Sequence, residues 1–190
     1  MRTIVRLFDR LLRRVYGVFE FSADPTCLLR LQVTQTGHAI ALPDGLVPAG
    51  ALVLQLHLWN EHIPSIPPQG PDLAWALQTR RLMMASLHAV ARQMTHDPCL
   101  AGVQAVGGVT SILSPDDPAG GERIMRRAGF TVFPCRHPLG RFGEFWENLY
   151  AWAIMWTFNA VSLRRRKLLR LRRAELWMSA NEFLQRYGDR

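Results

Sequence analysis

The chain predicts an α+β fold: a mixed β-sheet with one long and one short helix packed on it, plus an N-terminal amphipathic helix and C-terminal helices. Three observations predict this. Period-two apolar runs alternate with period-3.6 runs through the middle of the chain, in the order strand, helix, strand, short helix, strand. A composition of 48% hydrophobic and 20% charged residues over 190 residues suits one domain with a substantial core and argues against a disordered chain. Both ends are basic, while the residues between them carry about one net negative charge.

The elements follow in order. Residues 3–19 read as a helix with Ile4, Leu7, Leu11, Leu12 and Val15 near one face and Arg6, Arg10, Arg13 and Arg14 largely toward the other. Such a basic amphipathic helix either docks on the domain or contacts a membrane. Its charges recur through Arg14 with no uninterrupted apolar stretch, so it does not read as a signal peptide. Asp24 and Pro25 break the pattern before the strand CLLRLQVTQ, and Thr36 and Gly37 turn the chain into HAIAL, a spacing that predicts a hairpin. After the turn at Pro43, Asp44 and Gly45 comes the longest strand signal. It sets Leu52, Leu54, Leu56 and Leu58 on one face and Gln55, His57 and Trp59 on the other.

Four prolines in IPSIPPQGPD exclude regular structure there. Asp72 is placed to cap a helix over 73–94, whose apolar set includes Leu77, Leu82, Met84, Leu87, Ala91 and Met94; Asp97 and Pro98 stop it. A strand over 102–109 follows, with Gly107 and Gly108 bending or ending its ladder, and then a polar turn over 115–121. A short helix over 122–128 ends at Gly129 and FTVFP returns as a strand, with the helix-linked strands expected parallel. From Gly140 the pattern predicts helices over 142–163 and 164–186, the first with aromatic residues on more than one face. These elements divide the chain into an amphipathic helix (1–22), an α+β core (23–140) and Trp-rich and basic C-terminal helices (141–190).

The formal charge of +8 sits at the ends: six Arg against three acids in residues 1–30, and nine basic residues against three acids in 164–190. An anionic surface is the partner this polarity attracts, since each basic residue beside acidic lipids is worth about 1 kcal/mol. The sixteen uncharged residues between Glu147 and Arg164 fall short of the roughly 20 that cross a hydrocarbon core, so the segment is expected to lie in an interface or pack in the domain. Trp152 and Trp156, followed by Arg164, Arg165, Arg166 and Lys167, are the candidate membrane-binding residues. Nucleic acid is the competing anion, but no recognised nucleic-acid module accompanies the charge. Cys27, Cys99 and Cys135 are odd in number and form no CxxC pair, which favours a reducing compartment, the cytosol, at the inner face of a membrane.

Candidate chemistry centres on LHLWNEH, which sets His57, Asn60, Glu61 and His62 at the end of a strong strand. His57 and Glu61 are the candidate acid-base pair, and Asn60 a candidate ligand-binding residue. Without an HExxH or CxxC framework no metal site is expected. In AVGGVTS, Gly107, Gly108 and Thr110 are candidate ligand contacts through exposed backbone N–H groups, against a reading in which a bulge or crowded backbone requires the glycines. The segment lacks the lysine of GxxxxGK[ST] and the spacing of GxGxxG, and no GxSxG surrounds any serine, so no cofactor is expected.

Through Leu56, His57, Asn60, Gly108, Thr110, Arg127, Gly129 and Phe130 the sequence resembles the YkoP-like domain family over roughly residues 40–150. That resemblance implies a place beside cell-envelope polysaccharide and lipid enzymes without defining an activity. The long helix, strand, short helix ending ERIMRRAGF and closing strand also resemble, more faintly, the latter half of the N-acetyltransferase superfamily fold. The departure is at Ile66, Pro67, Pro68, Gln69, Gly70 and Pro71, where the prolines remove the N–H donors that a cofactor pyrophosphate needs.

The expected function is therefore an accessory or ligand-binding protein of an envelope lipid or polysaccharide pathway, held at an anionic membrane surface and partnered with an envelope-biosynthesis protein. An acyltransferase-like enzyme using His57 or Glu61 and a structural oligomerisation protein are the alternatives.

Overall fold

The order of elements places a strand where the basic C-terminal sequence predicts a helix, and this strand completes the sheet. The computed structural model describes residues 2–110, 118–135, 140–158, 160–163 and 173–188. Helix α1 (Arg2–Tyr16) precedes β1 (Leu29–Gln35), β2 (Ile40–Leu42), β3 (Gly45–Val47) and β4 (Leu52–Leu58). Helix α2 (Leu73–His96) leads to β5 (Ala105–Thr110), α3 (Pro118–Arg127), β6 (Thr131–Pro134) and α4 (Gly140–Phe158), and the chain closes through β7 (Ala174–Ser179) and α5 (Ala180–Tyr187). The result is an α+β fold with a mixed sheet in the order β1-β4-β5-β7-β6. β4 and β5 are parallel, as expected of strands joined by a helix; the other neighbours are antiparallel.

Two expectations are corrected. The HAIAL segment does not pair back onto β1: β2 pairs with β3 across the Pro43–Asp44 turn, and β1 pairs with β4 over seven registered positions from Leu29↔Leu58 to Gln35↔Leu52. A three-residue strand cannot satisfy the backbone groups of a seven-residue one, whereas β4 can. The stretch expected as helix over 164–186 contains β7, which runs between β5 and β6. Ala174, Leu176 and Met178 alternate with Glu175, Trp177 and Ser179, the period of a strand, and Ser179 then caps α5 by accepting from the Glu182 N–H at 3.1 Å. The signal was present as the S-x-x-E of Ser179 and Glu182, a capping-box pattern that marks where a helix begins.

The core lies mainly on one face of the sheet. Leu29, Leu31, Leu54, Val106 and Met178 meet Leu87, Val90, Ala91 and Met94 of α2 and Phe183 and Tyr187 of α5. On the opposite face the β2–β3 ribbon covers Val53, Ala105 and Trp177 with Ile40, Leu42 and Val47. Asp72 caps α2 by accepting from the Trp75 N–H at 2.8 Å, as its sequence position predicts. Gly107 and Gly108 end the ladder with β4 at Gln55↔Gly107, while pairing with β7 continues to Thr110↔Ala174. Gly129 follows α3 at φ 94°, the left-handed turn expected of a helix terminator.

Candidate functional site

Across the register of β1 and β4, Arg30 lies opposite His57, so both side chains rise from the same sheet face. Arg30 is only 4% exposed. Its Nε and Nη2 donate to Glu20 Oε1 at 3.1 and 2.9 Å, and its Nη1 donates to Glu61 Oε2 at 3.3 Å. The guanidinium lies 4.4 Å from the Trp59 ring centre, and Trp59 in turn stacks on His62 at 3.8 Å. His62 is held by its Nδ1, 2.8 Å from the Cys27 carbonyl oxygen.

This group is gathered from separate parts of the chain, with Trp59, Glu61 and His62 supplied by the segment that follows β4. Phe19 bridges to Leu31, which carries the chain after α1 antiparallel beside β1 and delivers Glu20. Helix α1 delivers Arg13, which ion-pairs with Asp9 at 2.9 Å and reaches Glu20 at 3.4 Å and Glu61 at 3.9 Å. Arg13 Nε is buried with no aligned acceptor, so its contact with Asp9 is a charge pair rather than a linear hydrogen bond. Asp9 is itself buried and accepts from the Tyr150 hydroxyl of α4 at 2.7 Å. Burial first, and the bond to Asp9 second, push the Tyr150 phenol well above its ordinary range, so it stays protonated and donates. Between α1 and the start of β1 these groups leave a hollow of about 350 Å³, lined by Arg10, Arg13, Arg14, Val18, Glu20, Arg30 and Glu61.

The residues singled out by sequence are distributed around this cluster. Glu61 belongs to it through Arg30 and Arg13. His57 has its own partner, Gln32 Oε1, 2.8 Å from its Nε2, and burial holds the imidazole below its usual pKa. No hydrogen bond joins His57 to Glu61. Asn60 Nδ2 donates to the Leu58 carbonyl at 3.4 Å. Gly107 and Gly108 are buried inside β5: a side chain on Gly107 would meet the Leu176 carbonyl oxygen and the Trp177 ring, and one on Gly108 would sit 3.1 Å from the Leu56 carbonyl oxygen. Thr110 ends the same strand. Trp152 and Trp156 lie half-buried in α4, and Arg164, Arg165, Arg166 and Lys167 lie outside the described residues. Among the described residues no group of three His, Cys, Asp or Glu is placed to hold a metal ion. Arg30, Glu20, Asp9, Arg13 and Tyr150 were not singled out as site residues by sequence; the one available signal was an arginine inside an otherwise apolar strand start, CLLRL.

Helix α1 is turned the opposite way from an ordinary surface helix. Asp9 and Arg13 face the body of the protein, while Leu7, Leu11 and Val15, one turn apart, are 65%, 57% and 70% exposed. Phe8 is half-exposed beside them, and exposed Arg6, Arg10 and Arg14 run along the adjoining face. The start of α4 adds exposed Phe142, Phe145 and Trp146. No helix among the described residues is long and apolar enough to cross a membrane.

A profile of the YkoP domain family matches residues 1–187, and the chain belongs to that family. The match extends well beyond the 40–150 stretch that carries the motifs and takes in α1, β7 and α5. No curated protein and no solved structure matches the chain, and the N-acetyltransferase likeness has no support among these comparisons.

Proposed function

We propose that this YkoP-domain protein is an accessory, ligand-binding component of a cell-envelope lipid or polysaccharide pathway, attached peripherally to the cytoplasmic face of an anionic membrane through α1. The observation that carries the reading is the outward stripe of Leu7, Leu11 and Val15 bordered by Arg6, Arg10 and Arg14. Apolar side chains left in water on a helix whose inner face is charged gain about 1.5–3 kcal/mol each when fully buried, and each arginine near acidic lipids adds about 1 kcal/mol. Together these terms support reversible attachment of a helix lying in the plane of the headgroups, without a spanning segment. Trp152, Trp156 and the basic run Arg164, Arg165, Arg166 and Lys167 are proposed to extend the same contact, and an envelope-biosynthesis protein is the proposed partner.

Co-sedimentation with phosphatidylglycerol-containing and neutral vesicles across a salt series tests the reading. The expected result is salt-sensitive pelleting with anionic vesicles that Leu7→Ser/Leu11→Ser abolishes while leaving the circular dichroism spectrum intact. A variant with Arg164, Arg165, Arg166 and Lys167 changed to Gln should weaken binding without abolishing it. Wild-type protein that stays in the supernatant at low salt, or that buries the stripe in a dimer, would overturn the proposal.

A further inference from the structure

The hollow beneath α1 has a charge that α1 and the sheet do not consume. Arg13 and Arg30 are already oriented by Asp9, Glu20 and Glu61, so they form a fixed floor. Arg10 and Arg14 also line the hollow, yet neither has a carboxylate partner among the described residues. Four arginines and the two carboxylates of Glu20 and Glu61 line a pocket of about 350 Å³, and with the buried Asp9 behind Arg13 counted as well the group keeps one net positive charge. We infer that this pocket binds the phosphodiester of an anionic lipid headgroup, with Arg10 and Arg14 as the donors that close on it and Arg13 as the donor from the floor.

The chemistry follows from the residues. A phosphodiester carries one negative charge, which matches the one left over, and arginine forks suit the paired oxygens of a phosphoryl group. Glu20 and Glu61 are balanced at the floor by Arg30 and Arg13, each of which reaches both carboxylates. Their remaining carboxylate edges suit a headgroup that carries hydroxyls beyond the phosphate. Arg10 and Arg14 belong at once to the pocket lining and to the basic border of the exposed stripe. A lipid whose tails remain in the bilayer under Leu7 and Leu11 would therefore present its headgroup at the mouth of this pocket. The inference rests on α1 being the membrane-facing helix as far as the lipid source is concerned; the phosphate chemistry of the pocket stands apart from it.

Titration calorimetry with dihexanoyl phosphatidylglycerol below its micellar concentration, and separately with inorganic phosphate, tests the site without a membrane. Saturable one-to-one binding of the monomeric lipid is expected, weakened about tenfold for each charge-assisted bond lost in Arg10→Gln and Arg14→Gln. Leu7→Ser/Leu11→Ser should retain this binding while losing vesicle binding, which separates failure of the pocket from failure of the membrane reading. No saturable binding by wild-type protein, or binding unchanged in the Arg10→Gln/Arg14→Gln double variant with its fold intact, would overturn the inference. Inorganic phosphate binding as tightly as the lipid would overturn the lipid assignment.

Discussion

Arg30 shows what a single residue costs and what holds it. A guanidinium at 4% exposure would be penalised by several kcal/mol if its partners were absent. Glu20 takes two of its N–H groups, Glu61 a third, and Trp59 lies against its face, an arrangement that the point charge of lysine does not reproduce. Its carboxylate partners stand 10 and 31 residues away in different connecting segments, so no spacing in the sequence reveals them. His57 is legible as a polar group near the end of a strong strand, but its partner Gln32 is not, because the expected hairpin pairs β1 with HAIAL rather than with β4. Burial lowers the folded-state pKa of His57 below its ordinary value of 6.5, so the unfolded chain binds the proton more readily. The contribution of neutral His57 is therefore whole above pH 6.5 and is lost as pH falls from there through the depressed folded value. In urea denaturation from pH 7.5 to 5, wild-type stability should fall more steeply than that of His57→Gln; parallel curves would show that His57 is not the group responsible.

Among the elements, α1 and β5 form as their sequences predict, yet what each presents to its surroundings is set by tertiary contacts. The periodicity of α1 established an amphipathic helix, but periodicity says nothing about which face turns inward. The Asp9–Tyr150 bond and the Arg13 ion pairs decide that, and they send Leu7, Leu11 and Val15 outward. In β5, the paired glycines read either as ligand contacts or as crowded backbone. Trp177 Cε3 would stand 2.6 Å from a Cβ on Gly107, and the Leu176 carbonyl oxygen nearer still. Gly107→Ala must therefore force β5 and β7 apart, and overpacking of this kind costs about 1–3 kcal/mol or more. The urea midpoint should drop accordingly, while Gly37→Ala, with nothing within 4 Å of the added methyl, should leave it nearly unchanged. Equal effects at the two sites would mean that crowding is not what requires Gly107.

At the scale of the whole molecule, the C-terminal strand makes the sheet continuous. β7 separates β5 from β6, and α5 behind it supplies Phe183 and Tyr187, both fully buried. A chain ended at residue 163 would lose the strand that satisfies the backbone of β6 and half that of β5, along with those two aromatic anchors. It should show no cooperative unfolding transition in urea, whereas a cooperative transition near that of the full chain would mean the remaining elements close a core without β7. The sequence by itself determined the α+β class, the long β4 strand, the capped α2 helix, the parallel β4–β5 pair and the basic, apolar-striped α1. Each is written in local periodicity, capping or connection length, which the chain carries within a few turns. Tertiary structure alone decided the partner of β1, the insertion of β7, the inward face of α1 and the gathering of Asp9, Arg13, Glu20, Arg30, Glu61 and Tyr150. The physical reason is the same for all four: backbone ladders and buried charges are satisfied by groups far away in the chain, and which distant group is available depends on the whole fold.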